Sequence, residues 1–266
     1  MKVFISADIE GTTLTTYWEE TRTLTEERAR LHCRQMTAEV RAACEGAIAA
    51  GATEIVVRDG HGKGINLDPT QLPECVQLIR NWTGHPLSMA YGCDESFDAA
   101  MFIGYHAAAG RCGNPLSHTE TTRTTSVRLN SLICSEFLLY SWACGQMGVP
   151  TVLLAGDKML IDDSRSLHPR LKAVAVKEGF GGMIRSLHPR VACDRIRAAA
   201  ETALRQDLRD ALPTLPDHFV FEASYKEHRD AVRMSCYPGC VLVGDRTVRF
   251  VSDDYLEVLR CGQFIL

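Results

Sequence analysis

The chain has 266 residues, of which 45% are hydrophobic and 23% are charged, and its formal net charge at pH 7 is −4. This composition is typical of a globular protein with one large domain or two smaller ones. The sequence has no basic block, acidic tail, signal-peptide pattern or apolar run of ~20 residues, so we expect a cytoplasmic protein that binds neither nucleic acid nor membranes.

The first half of the sequence alternates between strand and helix patterns. Residues 25–51 have a long helical pattern that Thr23 and Glu26 could cap at its start and Gly51 could end. The other predicted elements, in chain order, are strands at Lys2–Ala7 and Glu54–Asp59, a helix over residues 71–82, a short strand over residues 86–92, and a strand within residues 97–107 that ends near Tyr105.

The second half continues this alternation until residue 213, after which the pattern changes to strands joined by short turns. The predicted elements are a hairpin arm or edge strand over residues 125–134, helices over 135–148 and 191–208, strands over 149–157, 171–179, 218–224, 240–245 and 246–252, and a closing helix over 253–266. We therefore predict an α/β protein with a mixed, largely parallel sheet flanked by helices on both faces. Residues 1–213 would form the main domain, and residues 214–266 a smaller α+β portion packed on it or continuous with it.

Two further features have ordinary structural explanations. The eleven cysteines are scattered without CxxC pairs, which favours buried free thiols over disulfides or a four-thiolate zinc site. The hexapeptide RSLHPR occurs twice in surroundings that do not repeat. Its histidines, His168 and His188, each precede a proline, and we predict surface positions in loops or at helix starts for both.

Two carboxylates follow the first predicted strand almost directly. Asp8 and Glu10 belong to the sequence ADIEG, and residues two apart in an extended segment point to the same side. Converging carboxylates repel each other unless a proton or a cation lies between them. A lone acid here would more often cap a helix or solvate a turn, so a metal-site hypothesis needs further ligands.

Further polar side chains follow other predicted strands. The sequence DGHGKG places Asp59 and His61 after the second strand, and FIGYHA places His106 after a later one. Because the carboxyl ends of strands line the ligand crevice of open α/β sheets, we expect both histidines to meet the two carboxylates there. Asp59 could instead form a turn or support a neighbouring ligand.

Two more candidates lie beyond His106. His118 follows in a loop, within the sequence LSH, and Glu136 stands at the start of a predicted helix. Singly, a loop histidine is more often hydrogen-bonded than a ligand, and an acid in a first helical turn is favoured by the helix dipole. The clustering of acids and imidazoles at equivalent points of the topology raises the probability of a site.

The donor set indicates which metal it would hold. Carboxylate with imidazole suits zinc or manganese, whereas calcium prefers oxygen ligands and a structural zinc prefers thiolates. Five ligands exceed the three that one catalytic zinc needs, but two metals sharing a carboxylate would use all five at ~3.5–4 Å separation. Asp8, on the strand axis, would be the bridging ligand.

Several motifs together resemble one enzyme family. ADIEG, DGHGKG, FIGYHA, LSH, the glutamate of NSLICSEFLLY and AVAVKEG occur in this order along nearly the whole chain. In this they resemble the zinc-dependent bacterial D-aminopeptidases of the dipeptide-transport operon type. The resemblance implies two zinc ions per chain, held by Asp8, Glu10, His61, His106 and Glu136. It also implies that His118 is the catalytic histidine, and that residues 1–213 are the metal-binding catalytic domain.

The resemblance further implies a metallo-aminopeptidase that releases N-terminal D-amino acids, such as D-alanine, from short peptides or amides with a metal-activated water. It implies small peptide substrates with a free N-terminus and a ring-shaped homo-oligomer, a decamer, whose sites face an inner cavity. His118 could shuttle a proton, stabilise the oxyanion or act as a nucleophile. Residues 10–21 and 110–116 depart from the family's pattern and are predicted to be pocket or channel loops.

Two other functions stay open at this point. One is an L-aminopeptidase or another small-amide hydrolase on the same metal site. The other is a non-catalytic metal-binding assembly protein, which a thiolate-free ligand set with an excess histidine disfavours.

Overall fold

The computed structural model describes residues 1–22, 27–168 and 170–266. The predicted capping box of Thr23 and Glu26 lies outside these residues. The strands are β1 (Lys2–Ala7), β2 (Glu54–Asp59), β3 (Val76–Ile79), β4 (Ala99–Tyr105), β5 (Thr124–Leu129), β6 (Leu132–Ile133), β7 (Thr151–Asp157), β8 (Lys172–Phe180), β9 (Met183–Ser186), β10 (Phe219–Tyr225), β11 (Val241–Leu242) and β12 (Thr247–Ser252). The helices are α1 (Glu19–Arg22), α2 (Glu27–Ala49), α3 (Glu136–Gln146), α4 (Lys158–Ser164), α5 (Pro189–Leu204), α6 (His228–Met234) and α7 (Tyr255–Ile265).

The main sheet brings the ends of its central strands to one edge. Its seven strands, counted over the described residues, have the order β3-β2-β1-β4-β7-β8-β9, and all neighbours are parallel except β8 and β9. Ala7 pairs with Asp59 on β2 and with Ile103 on β4. The chain therefore leaves β1, β2 and β4 at nearly the same level, which is the level at which the sequence places its polar residues.

Both faces of this sheet are covered. Alternate residues of β1 point to opposite cores: Val3 and Ile5 belong to the core on the side of α2 and α5, and Phe4 belongs to the core that contains α3. Burial on both faces explains the continuous apolar runs of these strands. The predicted fold class, a mixed and largely parallel sheet flanked by helices on both faces, is confirmed.

A second, antiparallel sheet has the strand order β11-β12-β10-β5-β6. The hairpin arm or edge strand predicted over residues 125–134 is present as the hairpin of β5 and β6, and β5 pairs with β10 from the C-terminal segment. This sheet thus combines strands from both sides of residue 213, and the division of the chain into residues 1–213 and 214–266 stays a prediction. No helix among the described residues is long and apolar enough to span a membrane. The cytoplasmic location also stays a prediction.

Two predicted elements have the wrong type. Residues 71–82, predicted as a helix, contain the strand β3, because Pro73 interrupts the segment and Val76–Ile79 pair with the edge of β2. Residues 86–92, predicted as a strand, contain a 3₁₀ turn at Ser88–Ala90. The carbonyl of Met89 in this turn accepts a hydrogen bond from the buried Ser6 hydroxyl at 2.8 Å, which fixes the turn against β1.

His168 is not the surface residue that the sequence predicts. Its side chain is buried, its Nε2 lies 2.8 Å from the Ser141 hydroxyl, and its ring packs edge-to-face on Phe137. His188 is exposed, as predicted, and its Nδ1 accepts a hydrogen bond from the Arg190 amide at the start of α5. All eleven cysteines are free thiols.

The loop that follows β1 is in direct main-chain contact with the end of β4. The Asp8 amide donates to the Ile103 carbonyl at 2.9 Å, and the Gly11 amide donates to the Gly104 carbonyl at 2.8 Å. A Cβ on Gly11 would lie 1.8 Å from the Tyr105 carbonyl oxygen, so only glycine fits there. Gly104 has a φ of +78°, which also favours glycine. We call this contact the glycine crossing; it holds the loop that carries Asp8 and Glu10 against β4.

Candidate metal centre

The five residues predicted as metal ligands converge at the strand ends. The Nδ1 atom of His61 is 3.3 Å from Asp8 Oδ1 and 3.0 Å from Glu10 Oε2. The Nε2 atom of His106 is 3.4 Å from Asp8 Oδ2 and 3.2 Å from Glu136 Oε2. Asp8 therefore lies between the two histidines, with one carboxylate oxygen toward each.

Each of these side chains is positioned by the end of a regular element. Asp8 and Glu10 follow β1, His61 follows β2, and His106 follows β4. Glu136 is the first residue of α3, whose N-cap, Ser135, accepts a hydrogen bond from the Leu138 amide. The centre is almost closed to solvent: Asp8, Glu10 and His106 are at most 2% exposed.

Main-chain carbonyls fix the orientation of the histidine rings. A carbonyl lies 2.9 Å from His61 Nε2, 3.0 Å from His106 Nδ1 and 2.9 Å from His118 Nδ1. Because a carbonyl only accepts hydrogen bonds, each of these nitrogens carries a proton. In a neutral ring the opposite nitrogen is then unprotonated and has a lone pair that can bind a metal. In all three histidines this nitrogen faces a carboxylate.

The buried charges shift each other's pKa strongly. Burial, helped by the negative charge of Glu10, raises the pKa of Asp8 to about 8. Burial also disfavours the charged form of Glu10, but the adjacent His61 outweighs it and holds the pKa of Glu10 well below its usual range. Burial opposes charge on His106 as well, yet Glu136 raises the pKa of His106 to about 10. The carboxylates thus need positive charge beside them in this buried position.

The residues present fit a metal. Asp8 Oδ2, both carboxylate oxygens of Glu10, and His106 Nε2 are buried without a hydrogen-bond partner of adequate geometry. Carboxylate oxygen and imidazole nitrogen are zinc ligands. Two sets of three donor atoms lie within 4.8 Å of one another: Asp8, Glu10 and His106, and His106, His118 and Glu136. His118 belongs to the second set, and its role as a residue other than a ligand stays a prediction.

Asp59 lies behind the centre and shapes the loop of His61. Its carboxylate accepts hydrogen bonds from the Asn66 amide at 2.6 Å, the Asn66 side chain at 2.8 Å and the Leu67 amide at 2.8 Å. The Asn66 side chain also donates to the His61 carbonyl at 2.7 Å. Asp59 therefore both forms the turn and supports the loop of His61, which are the two roles predicted for it.

Sequence reasoning missed Lys177, which lies on β8 in the AVAVKEG motif. Its buried ammonium donates to the carbonyls of Glu10 at 2.6 Å and Thr15 at 2.5 Å. The Asn114 side chain donates to the same Glu10 carbonyl at 2.9 Å. Burial lowers the pKa of Lys177 to about 8. A lysine inside an otherwise apolar strand pattern was the available signal.

A cavity of about 790 Å³ opens onto the centre. Asp8, Glu10, His61 and Glu136 line its floor, and its walls include Trp18, Arg22, Arg58, Trp82, His118 and Glu120. The ring of His118 is stacked on His106 with 4.3 Å between centroids and contacts Trp18 edge-to-face. Glu10, Trp18 and Thr21 line this cavity, so residues 10–21 contribute to the pocket as predicted, although Thr21 belongs to α1 and not to a loop. Residues 110–116 do not line this cavity; Cys112 and Gly113 line a smaller one of about 380 Å³.

Comparisons with known proteins match nearly the whole chain to one family. The model of the peptidase family M55, described as D-aminopeptidase, matches residues 1–264. A D-aminopeptidase of Bacillus subtilis (strain 168) is 29% identical over 264 residues, which are 98% of this chain and 94% of the relative. The solved structure of the Zn-dependent D-aminopeptidase DppA from Bacillus subtilis, described as a self-compartmentalizing protease, superposes with a TM-score of 0.91 at 26% identity and covers 100% of this chain and 96% of that one.

Proposed function

The chain belongs to the D-aminopeptidase family M55, and from this premise we propose that it is a dinuclear zinc aminopeptidase that releases N-terminal D-amino acids of the D-alanine type from short peptides or amides. The observation that carries the proposal is the buried cluster in which two imidazoles alternate with three carboxylates at the floor of an open cavity. The zinc dependence of DppA, which has the same fold, supports the choice of metal.

The proposed ligands of the two zinc ions are Asp8, Glu10, His61, His106 and Glu136. Asp8 is the proposed shared ligand, because its two carboxylate oxygens face different histidines. The orphaned buried atoms of Asp8, Glu10 and His106 would find their partners in the metal. When bound, zinc supplies Lewis acidity, which activates water and polarises the scissile carbonyl.

His118 is the proposed carrier of a proton. Its Nδ1 is fixed by the Leu116 carbonyl, so the Nε2 atom of the neutral ring can accept a proton from water and later donate it to the leaving amine. Its side chain is 13% exposed and lies on the cavity wall, where a substrate can reach it. Stacking on the buried His106 holds the ring in place.

A panel of two chromogenic substrates tests the proposal. We expect zinc-loaded protein to hydrolyse D-alanine p-nitroanilide and to prefer it over the L-isomer. Chelation should abolish the activity, and added zinc should restore it. Preference for the L-isomer would favour the L-aminopeptidase instead. Bound zinc without hydrolysis of either substrate would favour a non-catalytic assembly protein.

The proposed assembly is a ring-shaped homo-oligomer, a decamer, that limits access to small peptides with a free N-terminus. DppA is described as self-compartmentalizing, which supports self-association. The chain also has large apolar side chains at its surface, including Tyr17 (62% exposed), Val241 (59%) and Phe264 (64%), that subunit contacts would bury. Light scattering should give about ten times the mass of one chain, and a monomer would contradict the proposal.

A further inference from the structure

Glu120 is an acidic residue on the cavity wall that belongs to neither set of candidate ligands. It lies two residues after His118 and is exposed. Its amide donates a hydrogen bond to Glu136 Oε1 at 2.6 Å, so the residue is attached directly to the metal centre. Among the described residues, the cationic side chains form their ion pairs with other acids, and none lies within 4.0 Å of the Glu120 carboxylate.

The structure fixes the Glu120 side chain toward the cavity. The buried Tyr140 hydroxyl donates a hydrogen bond to Glu120 Oε1. The backbone of Glu120 has a φ of +59°, a left-handed conformation that glutamate seldom adopts and that tends to persist at functional sites. Among the described residues, Tyr140 alone donates to this carboxylate, so the second oxygen is available to a ligand.

We infer that Glu120 binds the free α-ammonium group of the substrate. In an aminopeptidase substrate, the ammonium is separated from the scissile carbonyl carbon by a single Cα atom. Its binding partner must therefore lie beside the metal centre without occupying a ligand position. Glu120 meets both conditions, since its amide contacts Glu136 while its carboxylate accepts a hydrogen bond from Tyr140 and is not among the buried atoms left without a partner.

Glu120 would explain selection of a free N-terminus. A carboxylate forms both an ion pair and hydrogen bonds with an ammonium group, whereas a neutral acylated nitrogen offers it a single N–H donor and no positive charge. An N-acylated peptide or an internal peptide bond would leave the Glu120 charge without a partner beside Glu136. This inference rests on the proposed aminopeptidase function and adds the residue that recognises the amino end.

Binding of two product-like ligands tests the inference. D-alanine and D-lactate differ in having an ammonium or a hydroxyl group on the same carbon. Calorimetric titration of the zinc-loaded wild type should show tighter binding of D-alanine by roughly 10- to 100-fold. In Glu120→Gln this ratio should fall to within a few-fold of one. Tyr140→Phe, which frees the carboxylate but keeps its charge, should lose only part of the ratio.

Kinetics and metal content complete the test. Glu120→Gln should raise KM for D-alanine p-nitroanilide by about the factor lost in binding, with kcat changed only a few-fold and zinc content unchanged. Glu95→Gln, an exposed acid outside the cavity, is the matched control and should behave as the wild type.

Three results would overturn the inference: an unchanged binding ratio in Glu120→Gln, loss of its zinc, or a loss of kcat at constant KM. A wild type that binds zinc but hydrolyses neither isomer would instead refute the proposed function, and the calorimetric ratio would still report on Glu120.

Discussion

Replacement of the buried His168 by glutamine should make the free energy of unfolding depend less steeply on pH in the acidic range. Burial lowers the pKa of His168 from its ordinary value of 6.5 to about 4. The unfolded chain then binds a proton at a higher pH than the folded chain, so the wild type loses stability as the pH falls from about 6.5 to about 4. A shift of ~2.5 units at ~1.36 kcal/mol per unit corresponds to ~3 kcal/mol.

Urea unfolding at several pH values between 7.5 and 4.5, at constant protein and zinc concentration, measures this effect. At pH 7.5 the variant should be less stable by about 1 kcal/mol, because it loses the contact of His168 with Ser141. By pH 4.5 the order should reverse, because the wild type has lost ~2.7 kcal/mol through this one group. His188→Gln, an exposed histidine, should keep the wild-type slope. Parallel curves for the wild type and His168→Gln would refute the reasoning.

Three further predictions concern the metal centre. Asp8→Ala should lower the zinc content from close to two per chain to near zero while circular dichroism stays native, and full occupancy in elemental analysis would contradict a shared ligand. His118→Ala should keep its zinc and lose kcat by roughly 10²–10⁴-fold, whereas His61→Ala and His106→Ala should lose zinc; a metal-free His118→Ala would make that residue a ligand. Gly11→Ala would place a Cβ 1.8 Å from a carbonyl oxygen. The variant should therefore have a free energy of unfolding lower by roughly 3 kcal/mol or more. A thermal midpoint equal to that of the wild type would argue against the glycine crossing as a rigid contact.

The positions of the metal-centre residues were predictable because they depend on local sequence. Asp8, His61 and His106 each follow an apolar strand by one or two residues, and parallel strands in adjacent positions bring their ends together without further information. Glu136 was recognisable as the start of a helix. The same reasoning predicted the strands β1, β4 and β7, whose apolar runs reflect burial on both faces, but it did not predict the edge strand β3.

The missed features depend on contacts between distant parts of the chain. Glu120 receives its hydrogen bond from Tyr140, a contact that no local sequence pattern indicates. The apolar surroundings of Lys177 in the sequence mark it as unusual, but they do not indicate that it reaches the carbonyl of Glu10 across the sheet. His168 does precede a proline in an irregular segment, but irregular backbone does not determine whether a side chain is buried. Residues 71–82 have too short an apolar run to separate helix from strand, and the free edge of β2 decided the outcome.

The glycine crossing divides the site into a part that can change and a part that cannot. Around Gly11 and Gly104 the main chains of two strand ends touch, so almost any substitution there displaces the loop of Asp8 and Glu10. The cavity wall is built from side chains instead, among them Trp18 and Trp82. A combinatorial library aimed at new substrates should therefore diversify wall positions such as Trp18 and Trp82 and leave the crossing, His118 and Glu120 intact, because the two tryptophans shape the pocket and are neither proposed ligands nor the proposed proton carrier or ammonium site.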